Sequence, residues 1–89
     1  MYLVLLGTTR ALVLSPTREL AAQIHQHFEA LAKYTGLRSA AIFGGVGMGP
    51  QEQAFRRGVD VIVATPGRLL DHFQYPYAKL DQLEILVLD

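Results

Sequence analysis

The chain has no cysteine, only two lysines (Lys33 and Lys79), no excess charge of either sign and no long apolar run. Without cysteine there is no disulfide framework, no thiol nucleophile and no Cys-ligated zinc, a composition that fits a reducing compartment. Eight Lys+Arg balance eight Asp+Glu, so no global field draws in a polyanion or a membrane, and any binding of nucleic acid must be local. No segment approaches the roughly 18 apolar residues of a membrane span. The opening MYLVLLG lacks the basic region and the length of a secretory signal. The expectation is a soluble, cytoplasmic protein. Eighty-nine residues make one small domain, so any mechanism needing two must borrow another chain.

What is present is the composition of a packed α/β domain: 51% hydrophobic and 18% charged residues, with eight glycines and four prolines. Four short apolar runs, Ala11 to Leu14, Ser39 to Phe43, Asp60 to Ala64 and Glu84 to Leu88, do not alternate. They predict strands buried on both faces, as in a parallel sheet covered by helices. Between the first two, Leu20, Ile24, Phe28 and Leu31 mark one apolar stripe of a helix over Thr17 to Tyr34, ended by Gly36. Further helices are expected from Pro50 to Arg57, stopping at Gly58, and from Pro66 to about Phe73, before Tyr75-Pro76. The order β-α-β-α-β-α-β is that of an open α/β sheet, a parallel sheet with flanking helices, whose sites lie beyond the carboxyl ends of its strands. Met1 to Arg10 fits no element well and reads as an extra edge strand or the remnant of something longer.

Two strand ends share a pattern of hydroxyl, Pro, any residue, Arg, any residue, Leu: Ser15-Pro16-Thr17-Arg18-Glu19-Leu20 and Thr65-Pro66-Gly67-Arg68-Leu69-Leu70. Ser15 and Thr65 are placed to cap the following helices, with Pro at the first helical position. A helix start carries free N–H groups and the positive end of the macrodipole, and arginine there suits an external anion better than the helix itself. A third stretch, Gly44-Gly45-Val46-Gly47-Met48-Gly49, follows the second strand and allows close backbone approach. It lacks the Lys of a P-loop and, with Pro50 where a third Gly is needed, the dinucleotide pattern. Three anion-friendly loops on one edge suit a single-stranded sugar-phosphate track. A flexible turn and ordinary helix caps are the plainer reading of each loop taken alone.

His25 and His27, two apart on a helix, and the remote His72 do not form a metal set. Arg56-Arg57 before Gly58 reads as a pair favourable to a helix C-terminus. Asp89 follows a buried strand, a position at which phosphate-transfer enzymes hold Mg²⁺.

Taken together, Pro16-Thr17-Arg18-Glu19-Leu20-Ala21-Ala22-Gln23, Gly44-Gly45 with Gln51 six beyond, Ala64-Thr65-Pro66-Gly67-Arg68-Leu69 and Val87-Leu88-Asp89 closely resemble the first RecA-like domain of DEAD-box ATP-dependent RNA helicases. The resemblance covers about Ala11 to Asp89. It makes residues 11–89 a partial RecA-like (P-loop NTPase-type) helicase domain and leaves 1–10 as a non-matching N-terminal segment. It implies that Pro16, Thr17 and Arg18 are motif Ia, Gly44 and Gly45 the Gly-Gly motif, and Thr65, Pro66, Gly67 and Arg68 motif Ib. All of these contact the RNA backbone in the family. It also implies that Asp89 would hold Mg²⁺ through water, but only in a complete motif II. The P-loop, the adenine-reading Gln motif, the rest of motif II, the Ser-Ala-Thr motif and the second domain are not in these 89 residues. ATP and Mg²⁺ therefore belong to the complete family domain, and the expectation here is no complete catalytic set, no cofactor and no ATPase activity. The alternative is a stand-alone binding module for single-stranded nucleic acid that never hydrolyses ATP. A sheet cut from a larger domain is also expected to fold marginally or to self-associate through exposed edges.

Overall fold

The apolar runs become four parallel strands joined by three helices. The computed structural model describes residues 9–88: β1 (Ala11–Leu14), α1 (Arg18–Thr35), β2 (Ser39–Ile42), α2 (Met48–Arg57), β3 (Val61–Ala64), α3 (Pro66–Phe73) and β4 (Ile85–Leu88). Asp89 and most of the Met1 to Arg10 segment, and with them the expectations placed there, lie outside the described residues. The strand order is β2-β3-β1-β4. Leu14 is level with Ala64 and with Leu88, and Ile42 with Ala64. The carboxyl ends of all four strands therefore stop on one line, and the segments that follow β1, β2 and β3 leave the sheet side by side.

Because side chains alternate along a strand, β1 and β3 each feed two cores. Val13, Val61 and Val63 pack with Ala21, Ile24 and Phe28 of α1 on one face. Leu12, Ile42, Ile62 and Ala64 pack with Phe55 of α2 and Leu69 of α3 on the other. Strand β3, second in the row and covered on both sides, is buried throughout. The α1 stripe is shorter than expected. Leu31 is exposed, and Ala21 takes the closest position against the sheet.

The helices end where glycine permits. Gly36 adopts φ 71° and its N–H reaches the Ala32 carbonyl, a left-handed turn that a side chain would strain by about 1–2 kcal/mol. Gly58 closes α2 with φ 78°. Two expectations are corrected. Helix α2 starts at Met48, two residues before Pro50, so that the glycine run supplies its N-cap, Gly47. Strand β4 is not buried on both faces: Ile85, Leu86, Val87 and Leu88 are 57%, 54%, 44% and 72% exposed. Among the described residues it pairs only with β1, and being apolar does not by itself provide a neighbour.

At the amino edge of the sheet the charges pair with one another. Arg10 Nε donates to Glu84 Oε2 at 2.6 Å, and Arg38 Nε lies 3.7 Å from Asp60 Oδ2, which also accepts from the Arg38 backbone N–H at 2.9 Å. The carboxyl edge is built differently.

Candidate nucleic-acid interface

The two hydroxyl-Pro units differ in where the helix begins. The Ser15 N–H donates to the Ala64 carbonyl at 2.9 Å and the Thr65 N–H to the Ile42 carbonyl at 3.0 Å, so both units are still held in the sheet at the hydroxyl residue. Pro16 and Thr17 follow, and Thr17 is extended with its Oγ1 accepting from the Leu20 N–H at 3.2 Å. Thr17, not Ser15, is thus the N-cap of α1. The Ser15 side chain is buried, and its hydroxyl has no hydrogen-bond partner among the described residues. In the second unit Thr65 is the N-cap and Pro66 the first helical residue, as expected, although Thr65 makes no side-chain cap bond. Arg18 is therefore the first residue of its helix and Arg68 the third.

Level strand ends bring both units against the glycine loop that follows β2. Arg18 Nη1 donates to the Gly44 carbonyl at 3.5 Å. From the other side Arg68 Nη1 donates to the Val46 carbonyl at 3.0 Å and to Gln51 Oε1 at 3.2 Å, and Arg68 Nε lies 3.6 Å from Asp71 Oδ2. Gly45, with φ 88°, passes so close to the Arg18 guanidinium that a Cβ there would collide with it. Pro16, Thr17, Arg18, Gly45, Pro66 and Gly67 are exposed, while Gly44, Thr65 and Arg68 are half-buried. Every predicted site residue that is described thus lies on one edge. The two arginines are not equivalent. Among the described residues Arg18 has no carboxylate at ion-pair distance, whereas Arg68 is committed to two carbonyl oxygens and faces Asp71, leaving Nη2 open toward Gly44.

Three helices start on this edge, and neither α2 nor α3 has an acid in its first turn. Uncapped N–H groups and aligned dipoles give the edge a positive local potential in a chain of zero net charge. The α2 start was not legible in the sequence, because the glycine run looked like loop up to Pro50.

Behind the loops lies a polar network that the sequence also hid. Gln51 Nε2 donates to the Phe43 carbonyl at 2.8 Å. Its Oε1 faces His72 Nε2 at 2.9 Å as well as Arg68, and His72 Nδ1 is 2.5 Å from the Tyr77 hydroxyl. His72 has no exposed surface. Burial first, and then the Arg68 guanidinium, lower its pKa from the ordinary 6.5, against smaller opposing effects of Asp71 and Glu52. An imidazole that is harder to protonate when folded stabilises the fold above pH 6.5 and loses that contribution as the pH falls toward its lowered value. The urea midpoint of the chain is thus expected to drop between about pH 7.5 and about pH 5.5, with a smaller drop in His72→Gln. Equal drops in the two proteins would contradict this. No group of three His, Asp or Glu able to hold a metal occurs among the described residues, and no helix of these is long and apolar enough to cross a membrane.

A family model described as DEAD/DEAH box helicase matches residues 2–89. The chain belongs to this family. It is 48% identical over 80 residues to the ATP-dependent RNA helicase RhlB of Haemophilus influenzae, an alignment covering 90% of this chain and 19% of that protein. It is 48% identical over 81 residues to DEAD-box ATP-dependent RNA helicase 28 of rice, covering 90% of this chain and 10% of that protein. The chain therefore spans about a fifth or less of the length of these relatives. Among solved structures, the yeast DEAD-box splicing factor Prp28 superposes with a TM-score of 0.83 at 34% identity, over 91% of this chain and 19% of that one. A hypothetical ATP-dependent RNA helicase from Sulfolobus tokodaii gives a TM-score of 0.81 at 35% identity, over 92% and 24%. The four-stranded parallel sheet and its helices are part of the RecA-like DEAD-box domain expected from PTREL and ATPGR. The family's ATP and Mg²⁺ find no fit among the described residues. Lys33 sits in the last turn of α1, Lys79 in the connection before β4, and Asp89 lies outside.

Proposed function

We propose that this DEAD-box segment holds the backbone of single-stranded RNA along the carboxyl edge of its sheet, and that these 89 residues do not hydrolyse ATP by themselves. The observation that carries the reading is the meeting of three loops. Arg18 and Arg68, from separate helix starts, both reach the Gly44–Val46 backbone, which gives a short positive strip flanked by glycine. In this strip Pro16, Thr17 and Arg18 form one wall, Gly44 and Gly45 the floor, and Thr65, Pro66, Gly67 and Arg68 the other wall. Contacts of this kind go to phosphate and sugar and read no sequence. Phosphoryl transfer needs a phosphate cradle, a positioned metal and a group that orients water. A chain whose glycine loop is followed by no lysine supplies none of the cradle.

Fluorescence anisotropy of a labelled oligouridylate at two salt concentrations tests the first half. Binding that weakens linearly in log–log terms, by about 0.7 units of slope per phosphate neutralised, is expected, with little change for an oligomer of another base. Phosphate release at saturating RNA tests the second half. No turnover above the buffer blank is expected, and steady turnover by the purified chain would overturn it.

A further inference from the structure

Between the RNA edge and the interior, Gln51, Arg68, His72 and Tyr77 form one connected set whose hydrogen bonds can be assigned from chemistry alone. Arginine only donates, so the Gln51 atom 3.2 Å from Arg68 Nη1 must be its oxygen. A carbonyl oxygen only accepts, so the Gln51 atom 2.8 Å from the Phe43 carbonyl must be its nitrogen. The two demands agree on one orientation of the amide. His72 Nε2, 2.9 Å from the same Gln51 oxygen, must then carry the proton. In the neutral ring, which burial favours, Nδ1 accepts from the Tyr77 hydroxyl. Tyr77 holds its own proton firmly, since burial and the nearby Glu52 raise its pKa.

The set joins α2, α3 and the connection after α3 to the end of the second strand run. Phe43 ends the second strand run, Gln51 is buried in α2, Arg68 and His72 are on α3, and Tyr77 lies in the connection that follows α3. Gln51 ties the root of the glycine loop to one wall of the strip, and Arg68 bonds the same loop further along, at Val46. Through its nitrogen Gln51 holds the carbonyl at the root of the glycine loop, and through its oxygen it holds the arginine of the facing wall. An unrestrained arginine has rotamer entropy to lose on binding. Two fixed acceptors, Gln51 Oε1 and the Val46 carbonyl, limit that freedom before the ligand arrives and leave Nη2 directed toward Gly44.

We propose that Gln51 is a positioning residue of this edge, clamping the glycine loop to Arg68 so that the two present one preset phosphate-binding surface, with neutral His72 and Tyr77 fixing the orientation of the clamp. The inference rests on the RNA-backbone reading above, and it names the residue through which that site is preorganised. Gln51 touches no ligand in this account and acts through Arg68 and the loop.

The test has one part that needs no RNA and one that does. In long-range ¹H–¹⁵N spectra of the whole chain at neutral pH, His72 is expected as the Nε2–H tautomer, and the Arg68 Nε–H is expected to be ordered in the parent chain and mobile in Gln51→Ala. An Nδ1–H tautomer, or an Arg68 equally mobile in the two proteins, would overturn the clamp whether or not the chain binds RNA. In oligouridylate binding, Gln51→Ala is expected to weaken affinity about tenfold, and to have almost no further effect in a chain already carrying Arg68→Ala. A role confined to supporting the fold would weaken both backgrounds alike, and that result would reject the positioning role. Amide exchange at Ile62 and Val63 reports whether the variant is folded. Should Gln51→Ala fail to fold, the His72 tautomer of the parent chain still decides. If the parent chain shows the predicted tautomer and an ordered Arg68 but no salt-dependent binding, the RNA reading fails while the clamp stands.

Discussion

Replacing Arg18 and Arg68 together by alanine is expected to flatten the log–log salt dependence of oligouridylate binding by about 1.4 units, two phosphate contacts at about 0.7 each, with no change in base preference. The chain has no net charge to fall back on, so the loss should remove most of the affinity rather than trim it. The single variants should not be equal. Arg18 is exposed, with one long hydrogen bond to Gly44, and its loss costs binding while leaving the fold alone. Arg68 is largely enclosed and bonds Gln51 and Val46, so Arg68→Ala also removes two hydrogen bonds that tie α3 to the loop and α2, at about 0.5–1.5 kcal/mol each. Salt titrations of the four proteins, each paired with a urea curve, separate the two effects. An unchanged slope in the double variant would remove both arginines from the interface.

Ile62→Ala is expected to remove a large part of the total stability of the fold. Ile62 is wholly buried in β3, packed among Leu12, Phe55 and Leu69, and truncating such a side chain costs about 2–5 kcal/mol. A domain of this size has a total stability of roughly 4–13 kcal/mol. With all four residues of β4 exposed on the edge, the lower end of that range applies. At about 4–8 °C per kcal/mol for small domains, the melting midpoint should fall by about 10 °C or more, read by circular dichroism. Leu31→Ala, at an exposed position of α1, should shift it by no more than a few degrees. Similar melting of Ile62→Ala and the parent would mean that the two-faced core around β3 does not hold the sheet together.

The parts of this molecule that were legible in its sequence are those set by local chemistry. The run Ala11 to Leu14 forms a strand with the boundaries its apolar residues suggest. Gly36 and Gly58 end helices because only glycine takes the positive φ found there without strain. Pro66 opens α3 because its missing N–H is no loss at a first helical position. The placement of the three loops on one edge followed from the same logic, since segments that leave parallel strands at level carboxyl ends share that edge.

What was not legible depends on partners distant in sequence. Ser15-Pro16 and Thr65-Pro66 look alike as strings, and both hydroxyl residues donate their N–H into the sheet, Ser15 to Ala64 and Thr65 to Ile42, yet the first helix starts two residues later in its unit and takes Thr17 as its cap. Strand β4 reads as buried because it is Ile-Leu-Val-Leu; burial needs a neighbour as well as an apolar side chain. The equality of the two arginines was lost in the same way. Gln51 and His72 are 21 positions apart and meet because α2 and α3 cover the same face of the sheet. No periodicity or motif spacing marks that encounter, and it is what turns Arg68 inward while Arg18 stays out.

The central claim is that the segments at 16–18, 44–46 and 65–68 act as one surface for a ribose-phosphate chain. Titrating ¹⁵N-labelled protein with a short oligouridylate at low salt tests it most directly. The account predicts that amides of all three segments shift together along one binding curve, that the shifts fade as salt is added, and that the amino edge around Arg10, Arg38 and Asp60 stays still. Shifts limited to one segment, or gathered at that amino edge, would contradict it.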